Sequence, residues 1–184
     1  MDELKQKWNE LVEGPAGWII YLLLGIGLAL LLNGFLSLAM STDYPVVTVK
    51  TNSMVPTLNP GDIVFVRGKE KYDPGDIIVF DGWMPTPLIH RSVARIEKTE
   101  NGTRIETWRN FSQITETEME EISEEHLESG ETIYVTKGDN NSVCDQCAGK
   151  SFVHPEEIHG HKVVRIPYLG WIKLGLVRVL GSLF

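Results

Sequence analysis

Four side chains in this sequence are of the types from which acyl-transfer chemistry is built: Ser53, His90, Asp139 and Asp145. A serine hydroxyl is a weak nucleophile until a base within hydrogen-bond reach takes its proton, and that base needs a third group to orient it. Histidine suits the base, because its unperturbed pKa is about 6.5. An aspartate on the far ring nitrogen fixes the tautomer and stabilises the imidazolium, and the order of the three along the chain is immaterial. Ser53 lies in Thr51-Asn52-Ser53-Met54-Val55-Pro56-Thr57-Leu58, followed by Asn59-Pro60-Gly61-Asp62. Pro56 and Pro60 remove two donors and restrict their neighbours, so this is a stiff, irregular turn. Turn serines also bond their own backbone as a matter of course. Each residue taken singly therefore has a plain structural alternative: a turn serine, a satisfied core histidine, a loop-capping aspartate.

The elements that must position these groups are mostly strands. Residues 45–49 form a short β run leading into the serine turn. Two similar phrases follow, Gly61-Asp62-Ile63-Val64-Phe65-Val66 and Gly75-Asp76-Ile77-Ile78-Val79-Phe80. Each joins a Gly-Asp turn to a continuous apolar strand, the pattern of strands buried on both faces or lining a barrel. A loop with Pro85 and Pro87 delivers a strand over 89–96 that begins with His90. Asn101-Gly102 signals a hairpin into a strand over 103–108. A further strand over 131–137 ends in the loop carrying Asp139 and Asp145, and the last runs over 161–166. The soluble part thus reads as mainly β, a partly open, barrel-like fold. Residues 115–127 read as an acidic helix with Met119, Ile122 and His126 on one side. Eleven glutamates fall within 97–131, opposed by Lys98, Arg104 and Arg109, so the segment from about 104 to 130 reads as a solvated excursion.

Residues 18–40 carry no charge. A helix of that length reaches roughly 35 Å, enough for a hydrocarbon core of about 30 Å. Ser37-Leu38-Ala39 is a small-x-small triplet of the kind cut in leaders, but the run exceeds the roughly 7–15 residues of a leader's apolar core, which favours a retained anchor. Lys5 and Lys7 before the span, against Asp43 after it, put residues 1–17 in the cytoplasm and the remainder outside a cell membrane crossed once. Residues 41–168 then form the extracytoplasmic catalytic domain, and 169–184 an apolar, membrane-associated tail. A formal net charge of −8 excludes nucleic acid as a partner. Cys144 and Cys147 are the two cysteines; they fit a small disulfide ring, a redox pair, or a zinc half-site completed by two of His154, His159 and His161. No metal or cofactor is expected. Asn101, Asn110 and Asn140 each lie in an Asn-x-Ser/Thr context.

Thr51 to Leu58 as written above, then Gly61-Asp62, His90-Arg91, Lys137-Gly138-Asp139-Asn140-Asn141 and finally Arg165-Ile166-Pro167-Tyr168-Leu169-Gly170-Trp171 appear in an order that resembles the signal peptidase I family. The likeness covers the anchor and the domain apart from the acidic excursion. Histidine at position 90, where bacterial members have a lysine, makes it similar to the archaeal type, an arrangement shared by the catalytic subunit of the eukaryotic signal peptidase complex. The resemblance implies that Ser53 is the nucleophile and His90 the general base, with Asp145 orienting the ring and Asp139 a supporting acid. It implies oxyanion and substrate contacts from Thr51, Ser53 and Met54. A cysteine at 144 departs from the family pattern, in which an acid often holds that place. The implied substrates are precursor proteins still carrying signal peptides, bound extended beside the apolar strands and cut after small residues. The lipid bilayer and accessory membrane subunits are the implied partners. The rival reading is a tethered scaffold subunit with a silent site.

Overall fold

The computed structural model describes residues 14, 17–172 and 175. The expected cytoplasmic segment therefore lies almost wholly outside the described residues, as does most of the expected C-terminal tail. The chain divides into two compact units, residues 1–39 and 40–184. In the first, helix α1 (Gly17–Met40) is apolar along its whole length, and among the described residues it is the helix long and apolar enough to cross a membrane. Its leucines are exposed all round, which suits lipid and not water.

The second unit is built on seven antiparallel strands: β1 (Val46–Thr48), β2 (Ile63–Arg67), β3 (Ile77–Phe80), β4 (Leu88–Thr99), β5 (Gly102–Thr107), β6 (Thr132–Lys137) and β7 (Ile158–Ile166). They form one sheet in the order β1-β2-β7-β3-β4-β5, with β6 also on β4. The sheet is mainly β as expected, and open, not closed into a barrel. Its spine is the twelve-residue β4. The Leu88 to Arg91 end pairs with β3, the Ala94 to Thr99 end with β5 along the same edge, and β6 takes the opposite edge. The all-apolar β3 is buried at every residue, as its sequence leads one to expect. β2 is not: Val64 and Val66 are buried while Ile63 and Phe65 are only half covered, so the strand alternates between a core face and a less covered one.

The core lies in three clusters. One, of Val49, Met54, Leu58, Val64, Val66, Ile77 and Val79, underlies the serine turn. A second joins Tyr72, Ile78, Phe80, Tyr134, Val153 and Ile158. The third gathers Val93, Ala94, Ile96, Ile133, Val135 and Cys144 with Met119 and Leu127 of the acidic segment.

That last cluster corrects the view of the excursion as merely solvated. Helix α2 (Glu116–His126) starts at a capping box, in which Glu118 N–H donates to the Thr115 hydroxyl at 3.2 Å and Thr115 N–H donates to the Glu118 carboxylate at 2.7 Å. Lys98 reaches its last turn, donating to the Ser123 and Glu124 carbonyls at 3.2 and 3.4 Å. Met119 and Leu127 are 1% and 5% exposed. The glutamates dominate the composition, yet the few apolar residues fall on one side, and that side covers the sheet. His126 is not part of it, standing half exposed against Phe152. Truncating Met119 to Ala leaves a cavity under β4 and is expected to cost about 2–5 kcal/mol, read as a lower midpoint in denaturant unfolding of the detergent-solubilised chain; an unchanged midpoint returns the helix to a solvated appendage.

Candidate active site

The turn that bears Ser53 is held from beneath and from both ends. Met54 and Leu58 are fully buried, and Leu58 N–H closes a turn onto the Met54 carbonyl at 2.9 Å. Asp62, fully buried, accepts from Asn59 N–H at 2.8 Å and from Tyr168 N–H at 3.2 Å, so the turn's exit is tied to the chain beyond β7. Ser53 itself faces outward, and its hydroxyl lies 3.2 Å from the Thr51 hydroxyl. Its carbonyl accepts from Asn140 N–H at 2.7 Å. This seats the turn on the loop that follows β6. Gly138 permits the seat, since a Cβ there would fall 2.7 Å from the Ser53 carbonyl oxygen.

That loop continues β6, whose Lys137 pairs with Arg91 of β4, next to His90. His90 is 6% exposed, and the Phe80 and Trp83 rings stand 6.5 and 6.4 Å from its own, centre to centre. Its Nδ1 is 2.7 Å from Asp145 Oδ2. The same carboxylate oxygen accepts the Thr136 hydroxyl at 2.7 Å, and Asp145 N–H returns to the Thr136 carbonyl at 2.8 Å. Asp145 is thus a buried carboxylate fixed on the sheet by Thr136 and bonded to one ring nitrogen, which leaves Nε2 as the nitrogen free for chemistry. Such a pair fixes the tautomer if Nδ1 carries the proton.

Asp139 does not touch the imidazole. It forms a fork with Arg91, at 2.8 Å to Nε and 2.6 Å to Nη2. The Arg91 guanidinium also donates to the Gly75 carbonyl at 2.7 Å and lies over the Trp108 ring at 4.4 Å. Sequence reasoning named Arg91 only as a motif neighbour of His90, and it missed Thr136, Phe80 and Trp83 altogether. Nothing local marks Thr136, nine residues before the acid it holds; only strand register puts it there. The zinc alternative falls, because Cys144 and Cys147 are bonded to each other. Of the three histidines weighed to complete it, His159 lies near Asp81 at 3.1 Å and His161 is bonded to the Arg67 carbonyl at 2.9 Å.

Burial alone would push the Asp139 carboxyl up, but the bonds from Arg91 and Thr57, with the charges of Arg91 and Lys137, outweigh it and hold the group below the usual carboxylate range. With its folded pKa beneath the unfolded value of about 3.9, the group stabilises the fold fully above that pH, and the contribution is lost as pH falls through the lower folded value. Asp139→Asn is expected to cost on the order of 3 kcal/mol at neutral pH and to flatten the loss of stability below about pH 4. Denaturant titrations at pH 7 and pH 3 check both, and an unchanged acid slope refutes the assignment.

Comparison with known proteins follows the same lines as the geometry. Residues 32–107 match the family described as Peptidase S24-like, a stretch that includes the serine turn and all of β4. The chain is 28% identical over 145 residues to the "Signal peptidase complex catalytic subunit SEC11" of Komagataella phaffii, covering 76% of this chain and 70% of the relative. It is 27% identical over 147 residues to that of Aspergillus terreus, with 77% and 70% covered. Against the subunit SEC11C of Rattus norvegicus the figure is 25% over 159 residues, with 77% and 67% covered. By these matches the chain is similar to Peptidase S24-like proteins and to catalytic subunits of the signal peptidase complex, consistent with the signal peptidase I family of the archaeal and endoplasmic-reticulum type.

Proposed function

We propose that this protein is a membrane-anchored serine endopeptidase that removes N-terminal signal peptides from exported or membrane precursor proteins, cleaving after small residues. The observation that carries the mechanism is the buried His90–Asp145 bond of 2.7 Å, which leaves Nε2 as the base. Ser53 is the nucleophile: its proton passes to Nε2 as Oγ attacks the scissile carbonyl, and Asp145 steadies the imidazolium that forms. The oxyanion is met by Ser53 N–H and by the Thr51 hydroxyl, which already lies beside the nucleophile at 3.2 Å; donors of this kind are worth about 3 kcal/mol of barrier each. His90 then protonates the leaving amine, and water releases the acyl-enzyme. Met54, expected to contact substrate, is instead fully buried and supports the serine turn from beneath, and Asp139 acts through Arg91 as a support.

Helix α1 is the single-pass anchor. With residues 1–17 in the cytoplasm and the catalytic domain outside the cell membrane, enzyme and precursor share a two-dimensional phase, which raises their effective concentration without any added contact. Accessory membrane subunits fit the same setting, since the relatives are named as subunits of a complex.

Incubation of the detergent-solubilised chain with a signal-peptide-bearing precursor tests the reading. Ser53→Ala and His90→Ala are each expected to lower kcat by about 10⁴-fold or more, and wild-type protein is expected to carry an acylating probe on Ser53. Asp145→Asn is expected to lower kcat more than Asp139→Asn does. Turnover retained in Ser53→Ala sinks the mechanism, and an unreactive wild type restores the silent-scaffold alternative.

A further inference from the structure

The disulfide between Cys144 and Cys147 closes a ring of four residues, and one of the two it encloses is Asp145. The ring is built into the site's underside. Cys144 is fully buried in the cluster of Val93, Ala94, Ile96 and Val135, and its N–H donates to the Gln113 side chain at 2.6 Å. Gln146, the other enclosed residue, accepts Thr136 N–H at 2.8 Å. The Asp145 carbonyl accepts from Ala148 and Lys150 N–H, both at 3.1 Å. The segment is thus tied to β6, to the core and to neighbouring loop residues, and the covalent link spans the acid itself. Cys147, in contrast, is exposed, and its N–H donates to the Cys144 sulfur at 3.0 Å.

We propose that this disulfide is a positioning element of the active site, holding the Asp145 carboxylate on His90, and that a dithiol reductant slows peptide cleavage by opening it. The proposal rests on the reading of Ser53, His90 and Asp145 as the catalytic set. The exposed partner and the buried partner define the route. A reductant thiolate attacks the Cys147 sulfur, the Cys144–Cys147 bond breaks as a mixed disulfide forms, and the Cys144 sulfur leaves with the electron pair. The Cys147 N–H stabilises that thiolate before it is protonated. The reductant's second thiolate then attacks its own sulfur in the mixed disulfide and leaves Cys147 as a thiol. Two electrons pass to the protein, and the reagent leaves as a cyclic disulfide.

Opening the ring removes the covalent constraint on the Asp145 backbone but leaves its bonds to Thr136. The effect is therefore a partial loss: kcat about tenfold lower, in the range expected when a catalytic group is displaced by less than 1 Å, with KM little changed. The test uses the full chain in detergent, assayed on a precursor when oxidised, when reduced with dithiothreitol, and after reoxidation. Cys147→Ser, which leaves the buried Cys144 in place, is expected to show the reduced value and to ignore dithiothreitol. In Asp145→Asn, reduction is expected to add no further loss, because the residue through which the ring acts is gone. The downfield proton resonance of His90 Nδ1–H is expected to weaken on reduction and return on reoxidation, and thermal unfolding measured alongside separates this from melting of the domain. An unchanged kcat in the reduced enzyme overturns the proposal, as does an equal loss in the Asp145→Asn background. If Ser53→Ala is dead while reduction does nothing, only the disulfide's role fails; if Ser53→Ala still turns over, the site reading beneath it fails first.

Discussion

The constraint on which the site depends is the register of β6 against β4. Thr136 faces Ser92, and His90 lies two residues before Ser92 on the same side of β4. This alternation brings the Thr136 hydroxyl and the His90 ring to one carboxylate oxygen of Asp145. A slip of one residue would turn Thr136 to the other face. Asp145 would then keep its burial and lose a donor, and an unpaired buried carboxylate is costly by several kcal/mol. The pairing is thus enforced by the acid that it positions. The irregularity between Ser92 and Ala94 confines the adjustment to the far side of the bonded pair, so that β4 can bend into the second half of the sheet without disturbing His90.

Two aspartates on one loop are kept apart in role by what each faces. Asp139 meets a guanidinium, which carries its charge at every accessible pH, and the fork leaves it neither free lone pairs in that direction nor reason to protonate. Asp145 meets an imidazole, whose charge can change during a reaction. A fixed charge pair locks the loop, whereas an imidazole–carboxylate pair suits the proton transfer proposed for His90. Arg91 and His90 are adjacent on β4 and so point to opposite faces, which is why each acid finds a different partner without competition.

Much of this was legible in the chain. All seven strands announce themselves, because continuous apolar runs and Gly-Asp or Asn-Gly turns are local signals. Ser53 and His90 could be singled out from their motifs, and Asp145 from its place in the family pattern. What was not legible is whatever depends on pairing between distant segments. The acidic stretch looked solvated because composition weighs every glutamate equally, whereas the few apolar residues led by Met119 and Leu127 decide which face of the helix lies on the sheet. Thr136 is one more threonine in a strand until register puts it against Asp145. Two cysteines and three histidines close in sequence admitted a zinc site, and only the spatial pairing of Cys144 with Cys147 removes it.

The strand order carries one more consequence. β2, which leaves the serine turn, and β3, which leads to His90, are not neighbours; β7 lies between them. It pairs with both, with irregularities at Phe65/Val66 and Val79/Phe80. Arg165 on β7 donates to the Thr57 carbonyl at 2.5 Å and approaches the buried Asp62 at 3.5 Å, so the last strand also grips the serine turn. Across the site, Arg91 reaches the same turn at the Thr57 hydroxyl, 3.5 Å away. The half of the sheet next to Ser53 and the half that holds His90 are therefore joined by β7, by Arg91 and by the Asn140 bond to the Ser53 carbonyl. Contacts of such long sequence separation form late in folding, since their loop-closure entropy comes before any return in packing. A chain lengthening from its N-terminus holds Ser53 and His90 well before it holds the strand that fixes one against the other, and the complete site comes into being only when β7 is in place.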